Sequence, residues 1–262
     1  MSDSYEPKSY WSRRLEADFD LRGTGHAAYS ARYNTWLYRQ KAVVLRKALA
    51  DVPLGARALD VGSGVGWVID QLLRRGLNVE GCDITDIAVE RLTERFPSVP
   101  FFVLALGQDA IPRDNHIYDA VTMLDVAYHI VDDDVWLAGL RELRRVLKPG
   151  GKLIVTDRLG DQPQRVAAHV HFRSRGDWEN ACATLGLRLI QVSPLFTWLA
   201  RDAWIKGWAK MPDYARGATE YVLERAIPRT PQLRWAVLVV EPEGESPEPP
   251  VKRSQATGIG TP

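Results

Sequence analysis

Along the first fifty residues the apolar positions recur at helical spacing. A short helix is expected over residues 10–19, broken at Gly23-Thr24-Gly25-His26, and a longer one over 29–50, where Tyr33, Trp36, Leu37, Val44 and Leu45 fall on one face. Pro53 and Gly55 end it. From residue 57 the pattern changes to short apolar runs alternating with amphipathic stretches. Strands are expected over 57–61, 77–83, 101–106, 118–125 and 152–157, with helices over 67–75, 86–96 and 134–147 between them. The strand runs are apolar almost without interruption, as a sheet covered on both faces requires. Strands alternating with helices predict a parallel α/β sheet. Further on, a helix over 173–185, a strand over 188–192, an aromatic-rich helical stretch beginning at Phe196 and a last strand over 234–240 are expected.

The predicted organisation is therefore an N-terminal helical lid (1–50) and a doubly wound, Rossmann-like α/β domain (51–241). That domain has a seven-stranded, mostly parallel sheet and a helical insertion at about 196–230. Residues 242–262 shift to Pro, Glu, Gly and Ser without apolar periodicity and read as a disordered tail.

Composition narrows the function classes. The 262 residues carry 34 Lys plus Arg against 33 Asp plus Glu, a net charge of +1. No basic excess points to nucleic acid or an anionic membrane, although Arg141, Arg144, Arg145 and Lys148 cluster on one helix. Cys82 and Cys182 make neither a disulfide framework nor a zinc site, so no metal is expected. No secretion signal and no apolar run long enough to span a membrane is seen, so a cytoplasmic monomer or homodimer is the expectation.

The chemical signal is concentrated at Leu59-Asp60-Val61-Gly62-Ser63-Gly64-Val65-Gly66. Glycines after a strand let the backbone turn tightly and let a ligand approach the main chain, and the following helix offers free N–H groups. Nicotinamide-binding turns look similar. The acid two residues before the first glycine argues for a cationic ammonium over a pyrophosphate. Asp83 ends the next strand, placed to hold ribose hydroxyls. The fourth strand leads through Asp125 to His129, and Arg145-Val146-Leu147-Lys148-Pro149-Gly150-Gly151 precedes the fifth.

These four features, in this order over about residues 56–158, resemble the class I S-adenosylmethionine-dependent methyltransferases. The resemblance implies that Asp60 orients the methionine amino group and that Gly62 and Gly64 let the methionine portion lie on the turn. It also implies that Asp83 holds the ribose with Ile84 against adenine, and that Asp125 lies beside the methionine end. An acid that the family commonly carries after the third strand is displaced here to Asp109, so the backbone at Leu106 and Gly107 is expected at the adenine instead. Arg39 is a candidate for the cofactor carboxylate, against the alternative of a solvated helix charge. Tyr10, Trp11 and Tyr33 are candidates for an aromatic lid, against plain core packing.

Methyl transfer needs an aligned nucleophile, exclusion of water and at most one base. His129 is the candidate base, the alternative being a loop or cofactor contact. His169 and His171 are candidates for substrate contact or, with an acid, for a metal, and Asp157 and Arg158 are candidates for substrate contact, against plain capping. The expected reaction is methylation of an oxygen or nitrogen of a small molecule, a natural product or secondary metabolite, with Trp198, Trp204 and Trp208 offering a pocket wall. Left open are an RNA or protein methyltransferase, a non-catalytic S-adenosylmethionine-binding regulator and a nicotinamide oxidoreductase.

Overall fold

Strand β1 (Arg57–Val61) forms because four consecutive residues, Ala58 to Val61, can be buried on alternating sides of a sheet, and it lies inside the sheet, third of seven strands. The computed structural model describes residues 5–24, 29–199, 211–227 and 236–242. Around β1 stand β2 (Asn78–Asp83), β3 (Phe101–Val103), β4 (Tyr118–Met123), β5 (Leu147–Asp157), β8 (Leu187–Pro194) and β9 (Ala236–Pro242), in the order β3-β2-β1-β4-β5-β9-β8. The pairs β1–β2, β1–β4, β2–β3 and β4–β5 are parallel, and β9 runs antiparallel between β5 and β8. The expected seven-stranded, mostly parallel sheet is observed. A two-stranded antiparallel hairpin, β6 (Gln164–Ala167) with β7 (Val170–Phe172), stands apart from it and was not foreseen.

Period-two alternation sorts the strand side chains into two cores. Leu59, Val61, Val121, Met123, Leu153, Val155, Leu238 and Val240 face one side, under α6 (Asp133–Val146) and α7 (Arg175–Thr184), which contribute Trp136, Leu140, Leu143 and Trp178. Ala58, Ala120, Ile154, Val237 and Val239 face the other, under α3 (Ala31–Ala48) and α4 (Trp67–Arg74), which contribute Leu37, Leu45, Ile69 and Leu72. Burying each such aliphatic side chain contributes roughly 1.5–3 kcal/mol, so the sheet is the stability reservoir on which the loops stand.

The first helices differ slightly from expectation. Helix α1 (Pro7–Ala17) starts earlier because Glu6 caps it, accepting from Lys8 N–H at 3.2 Å and Ser9 N–H at 2.6 Å, with proline in the first turn. A short helical turn, α2 (Leu21–Thr24), occupies the start of the expected break. Helix α5 (Asp86–Arg95) is capped by Thr85. Helix α8 (Asp213–Ala226) packs on α3, its buried Glu220 accepting from the Tyr33 hydroxyl. Trp198 is buried and its indole N–H reaches Ile227 O at 3.2 Å. Trp204, Trp208, much of the expected insertion and nearly all of the expected tail lie outside the described residues.

Gly107 shows how tightly the loop after β3 is fitted. Its φ is +85°, and a Cβ would stand 2.0 Å from the backbone oxygen of Val135 on α6. Gly107→Ala therefore combines left-handed strain with a clash that no rotamer relieves. It should cost at least about 3 kcal/mol, read as a lower urea midpoint at unchanged slope.

Candidate functional site

The sheet order reverses between β1 and β4, and a crevice opens there at the carboxyl ends of the strands. Two loops meet in it. The glycine turn after β1 requires Gly62, because φ is +72° and a Cβ would fall 2.3 Å from the Val126 side chain of the loop after β4. The amides of Gly62 and Ser63 both donate to Cys82 O, at 2.8 and 2.9 Å, tying the turn to β2. The result is a cavity of about 900 Å³, within the usual range for small-molecule sites.

Asp83 anchors one end. Its Oδ1 accepts from the Thr85 amide (2.9 Å) and hydroxyl (2.8 Å), and its Oδ2 accepts from the Gly64 amide at 2.9 Å. With two lone pairs per oxygen, Oδ2 keeps one acceptor position for a ligand hydroxyl. Ile84, Leu104, Leu106 and Gln108 line the same end. Gln108, not anticipated from sequence, brings a side-chain amide there. Asp109 instead accepts from the Ala105 amide at 2.8 Å and shapes the loop. Gly107 supports this wall through α6 without itself lining the cavity.

Asp60 sits behind the glycine turn, 1% exposed, and does not line the cavity. Its Oδ1 accepts from Thr122 at 2.7 Å, while Oδ2 is buried with no partner. Burial pushes this carboxyl up to about 7. Between about pH 4 and 7 the native state holds a proton that the unfolded chain has released, so this group makes stability fall as pH rises through that window. The loss is on the order of 4 kcal/mol above pH 7. Asp60→Asn cannot titrate. Its stability relative to the parent should rise by that order between pH 4.5 and pH 8, read from urea midpoints of both proteins at the two pH values.

Asp125, in the loop after β4, has a φ of +61°, rare for a residue other than glycine. Thr156 holds it from two directions. Its hydroxyl oxygen accepts from the Asp125 amide at 2.7 Å, and its hydroxyl lies 3.1 Å from Asp125 Oδ1. Lys41 forms an ion pair with Asp125 Oδ2. Burial alone would raise the Asp125 carboxyl, but the Lys41 charge and hydrogen bond hold it below its ordinary value. Burial likewise opposes the Lys41 charge, and Asp125 more than compensates, raising the ammonium above its usual value. Both side chains line the cavity. Arg39 does not. It is exposed, with its guanidinium 4.3 Å over the Trp36 ring. Two residues along a helix turn roughly 200°, so Arg39 and Lys41 point away from each other, and the cation at the site is Lys41.

His129 ends a single 3₁₀ turn, Ala127–His129. Its Nδ1 lies 2.7 Å from His169 O. A carbonyl only accepts, so Nδ1 carries the hydrogen and Nε2 keeps the lone pair. Burial pulls the imidazole down to about 4, leaving it neutral at pH 7. The turn is gripped from below by Arg173, 2% exposed, which donates to Ala127 O (3.3 Å), Ile130 O (2.9 Å), Asp132 O (3.3 Å) and Asp133 Oδ1 (2.8 Å) and lies 4.2 Å over the Trp136 ring. Sequence reading missed this arginine because all its partners lie some forty residues upstream.

Helix α1 and the β6–β7 hairpin close the far side. Trp11 packs edge-on to His129 (4.8 Å), Tyr10 stacks on His169 (4.7 Å) and hydrogen-bonds its Nε2 at 3.2 Å, and Tyr5 OH reaches His129 O at 3.4 Å. Of the three expected lid aromatics, Tyr10 and Trp11 stand here, whereas Tyr33 is fully buried beneath α8. His169 lines the cavity; His171 is buried against Val131 O and Asp133. Asp157 is buried too, accepting from the Trp178 indole at 2.8 Å and from the Arg158 amide at 2.7 Å, while the Arg158 side chain lines the cavity. The basic cluster, which runs from α6 into the start of β5, is partly internal: Arg145 bonds Glu142, Ile111 O and Arg113 O, and Lys148 pairs with Asp119. Among the described residues no group of three or more His, Cys, Asp or Glu is arranged to hold a metal, and no helix is long and apolar enough to cross a membrane.

A crevice at the switch point, a glycine turn and an acid at the end of β2 define a Rossmann-like nucleoside-binding domain of the methyltransferase kind. Residues 59–155 match the methyltransferase domain family, and over this part of the chain the resemblance to class I S-adenosylmethionine-dependent methyltransferases is borne out. The chain is 34% identical over 106 residues to a ubiquinone biosynthesis O-methyltransferase of Xanthomonas oryzae pv. oryzae strain PXO99A, covering 39% of this chain and 43% of that one. It is 31% identical over 103 residues to a demethylmenaquinone methyltransferase of Beutenbergia cavernae, covering 39% and 41%. The chain thus spans less than half the length of these curated relatives. Among solved structures, a methyltransferase from Leishmania major superposes with a TM-score of 0.62 at 15% identity, over 92% of this chain and 87% of that one. The Burkholderia thailandensis didemethyltoxoflavin N-methyltransferase, solved with its substrate and S-adenosylhomocysteine, superposes with a TM-score of 0.56 at 14% identity, over 93% and 94%. At such identities these structures speak to the fold.

S-adenosylmethionine, the cofactor of this domain class, fits the residues present. The spare acceptor on Asp83 suits a ribose hydroxyl, the unpartnered Asp60 oxygen suits an ammonium reached through water, and the Lys41 cation suits a carboxylate. Ile84, Leu104 and Leu106 offer an apolar slot for adenine.

Proposed function

We propose that this chain transfers a methyl group from S-adenosylmethionine to an oxygen or nitrogen of a small molecule, a natural product or secondary metabolite. The observation that carries the proposal is one continuous cavity. It has the glycine turn and Asp83 at one end and a neutral histidine with a free acceptor nitrogen at the other. When bound, the cofactor supplies an electrophilic methyl on a sulfonium. The chain's own residues do the rest. Asp83, Ile84 and Lys41 orient, helix α1 and the hairpin exclude water, and His129 takes the acceptor's proton at Nε2. The names of the two relatives, which concern quinone methylation, support a small acceptor, as does a basic helix face whose charges are partly spent inside the fold.

The test is calorimetric titration with S-adenosylhomocysteine and with a nicotinamide dinucleotide, followed by transfer of a labelled methyl to small-molecule extracts. Micromolar binding of the first and a labelled product of low mass are expected. Binding of the dinucleotide alone would reverse the reading.

A further inference from the structure

The acceptor half of the cavity has a composition of its own. Its walls are rings: Tyr5 just before α1 and Trp11 on it, Tyr128 and His129 from the 3₁₀ turn, His169 and Phe172 from the hairpin. The His129 and His169 rings are 8° from parallel with centroids 5.7 Å apart, and Tyr128 packs on Phe172 at 5.1 Å. Flat walls of this kind favour flat ligands, since ring stacking rewards a matching plane.

The charges at this end are cationic. Arg14 lines the cavity, 5.2 Å from the Trp11 ring, and half-buried Arg158 lines it 5.4 Å from the Phe172 ring. Among the described residues no carboxylate pairs with the Arg158 guanidinium. Among the described residues three carboxylates line the cavity, and each has work elsewhere. Asp83 holds Thr85 and Gly64, Asp125 holds Lys41 and Thr156, and Asp132 caps α6 through the amides of Asp134 and Val135. An ammonium group entering here would meet the Arg158 guanidinium, with the carboxylates of the described lining already engaged; a carboxylate or phenolate would meet a planar guanidinium suited to it.

We infer that the acceptor is a planar aromatic molecule carrying a negative charge, its ring among Trp11, Tyr128 and Phe172 and its anionic group at Arg158. This inference rests on the methyltransferase reading and specifies its substrate class.

The probes are three catechols that share a ring and differ in charge: protocatechuate (anionic), catechol (neutral) and dopamine (cationic). Each is titrated calorimetrically into the protein saturated with S-adenosylhomocysteine. Protocatechuate should bind at least about tenfold more tightly than dopamine, with catechol between. Arg158→Gln should shrink that ratio to within about threefold, and Arg158→Lys should keep part of it, both at unchanged S-adenosylhomocysteine affinity. Equal affinities, a preference for dopamine, a ratio untouched by Arg158→Gln, or no binding of any probe at millimolar concentration would each overturn the inference. A protein that does not bind S-adenosylhomocysteine would overturn the methyltransferase reading itself, a result separable at the first titration.

Discussion

Asp83→Ala should weaken S-adenosylhomocysteine binding by about a hundredfold or more, equivalent to roughly 2.7 kcal/mol, measured by calorimetry on folded protein. The substitution removes the spare lone pair of Oδ2 from the ribose position and also releases the Gly64 amide that the same oxygen holds. Two costs therefore fall on one ligand: a lost charge-assisted hydrogen bond and a glycine turn held to β2 only through the Gly62 and Ser63 amides on Cys82 O. Thr85→Ala separates them. It deletes the hydroxyl that bonds Oδ1 and caps α5, which should cost about 1 kcal/mol of stability, yet it leaves Oδ2 in place. Its affinity should stay within about threefold of the parent. Parent-like affinity in Asp83→Ala would remove the ribose assignment.

The second large effect is on turnover. His129→Ala should leave S-adenosylhomocysteine affinity within a few-fold and cut methyl transfer at least about tenfold, the low end of what general bases contribute. The pH profile carries more information than the loss. Burial has brought His129 down to about 4, so the neutral, proton-accepting form persists far below the pH at which a solvated histidine would be charged. The limb of the rate profile assigned to this base should stay flat from pH 8 to about pH 5 and fall as pH approaches 4. A limb centred near 6.5 would mean that the working base is another, more exposed group. Unchanged turnover in His129→Ala would take it out of the mechanism altogether.

Much of the cofactor end was legible because its determinants are local. The residues from Asp60 to Gly66 are one strand end and one turn, and Asp83 ends the neighbouring strand, so short-range spacing already places them together. The acceptor end was less legible because it is assembled across long separations. Tyr5 reaches His129 across 124 residues and Tyr10 reaches His169 across 159. The β6–β7 hairpin hides for another reason: it is built from runs of only four and three residues, and burial does not follow polarity in them, since every residue of β6 is exposed and every residue of β7, His171 included, is buried. Sequence reading names Arg39 and passes over Lys41, although Lys41 falls four residues after Leu37 and three before Val44, on the inward face of α3, where a charged residue is unusual without a partner. Lys41 is identified by its partner Asp125, 84 residues later.

Helix α1 touches both halves of the cavity. Leu15 packs with Val65 and Ala88 beside the glycine turn, and Trp11, with Tyr5 just before the helix, stands against His129. Whatever occupies one half presses on a helix that the other half also uses, so the two occupancies share a free energy. Such linkage is reciprocal: if the nucleoside ligand steadies α1 and tightens capture of the acceptor by some factor, the acceptor tightens retention of the nucleoside by the same factor.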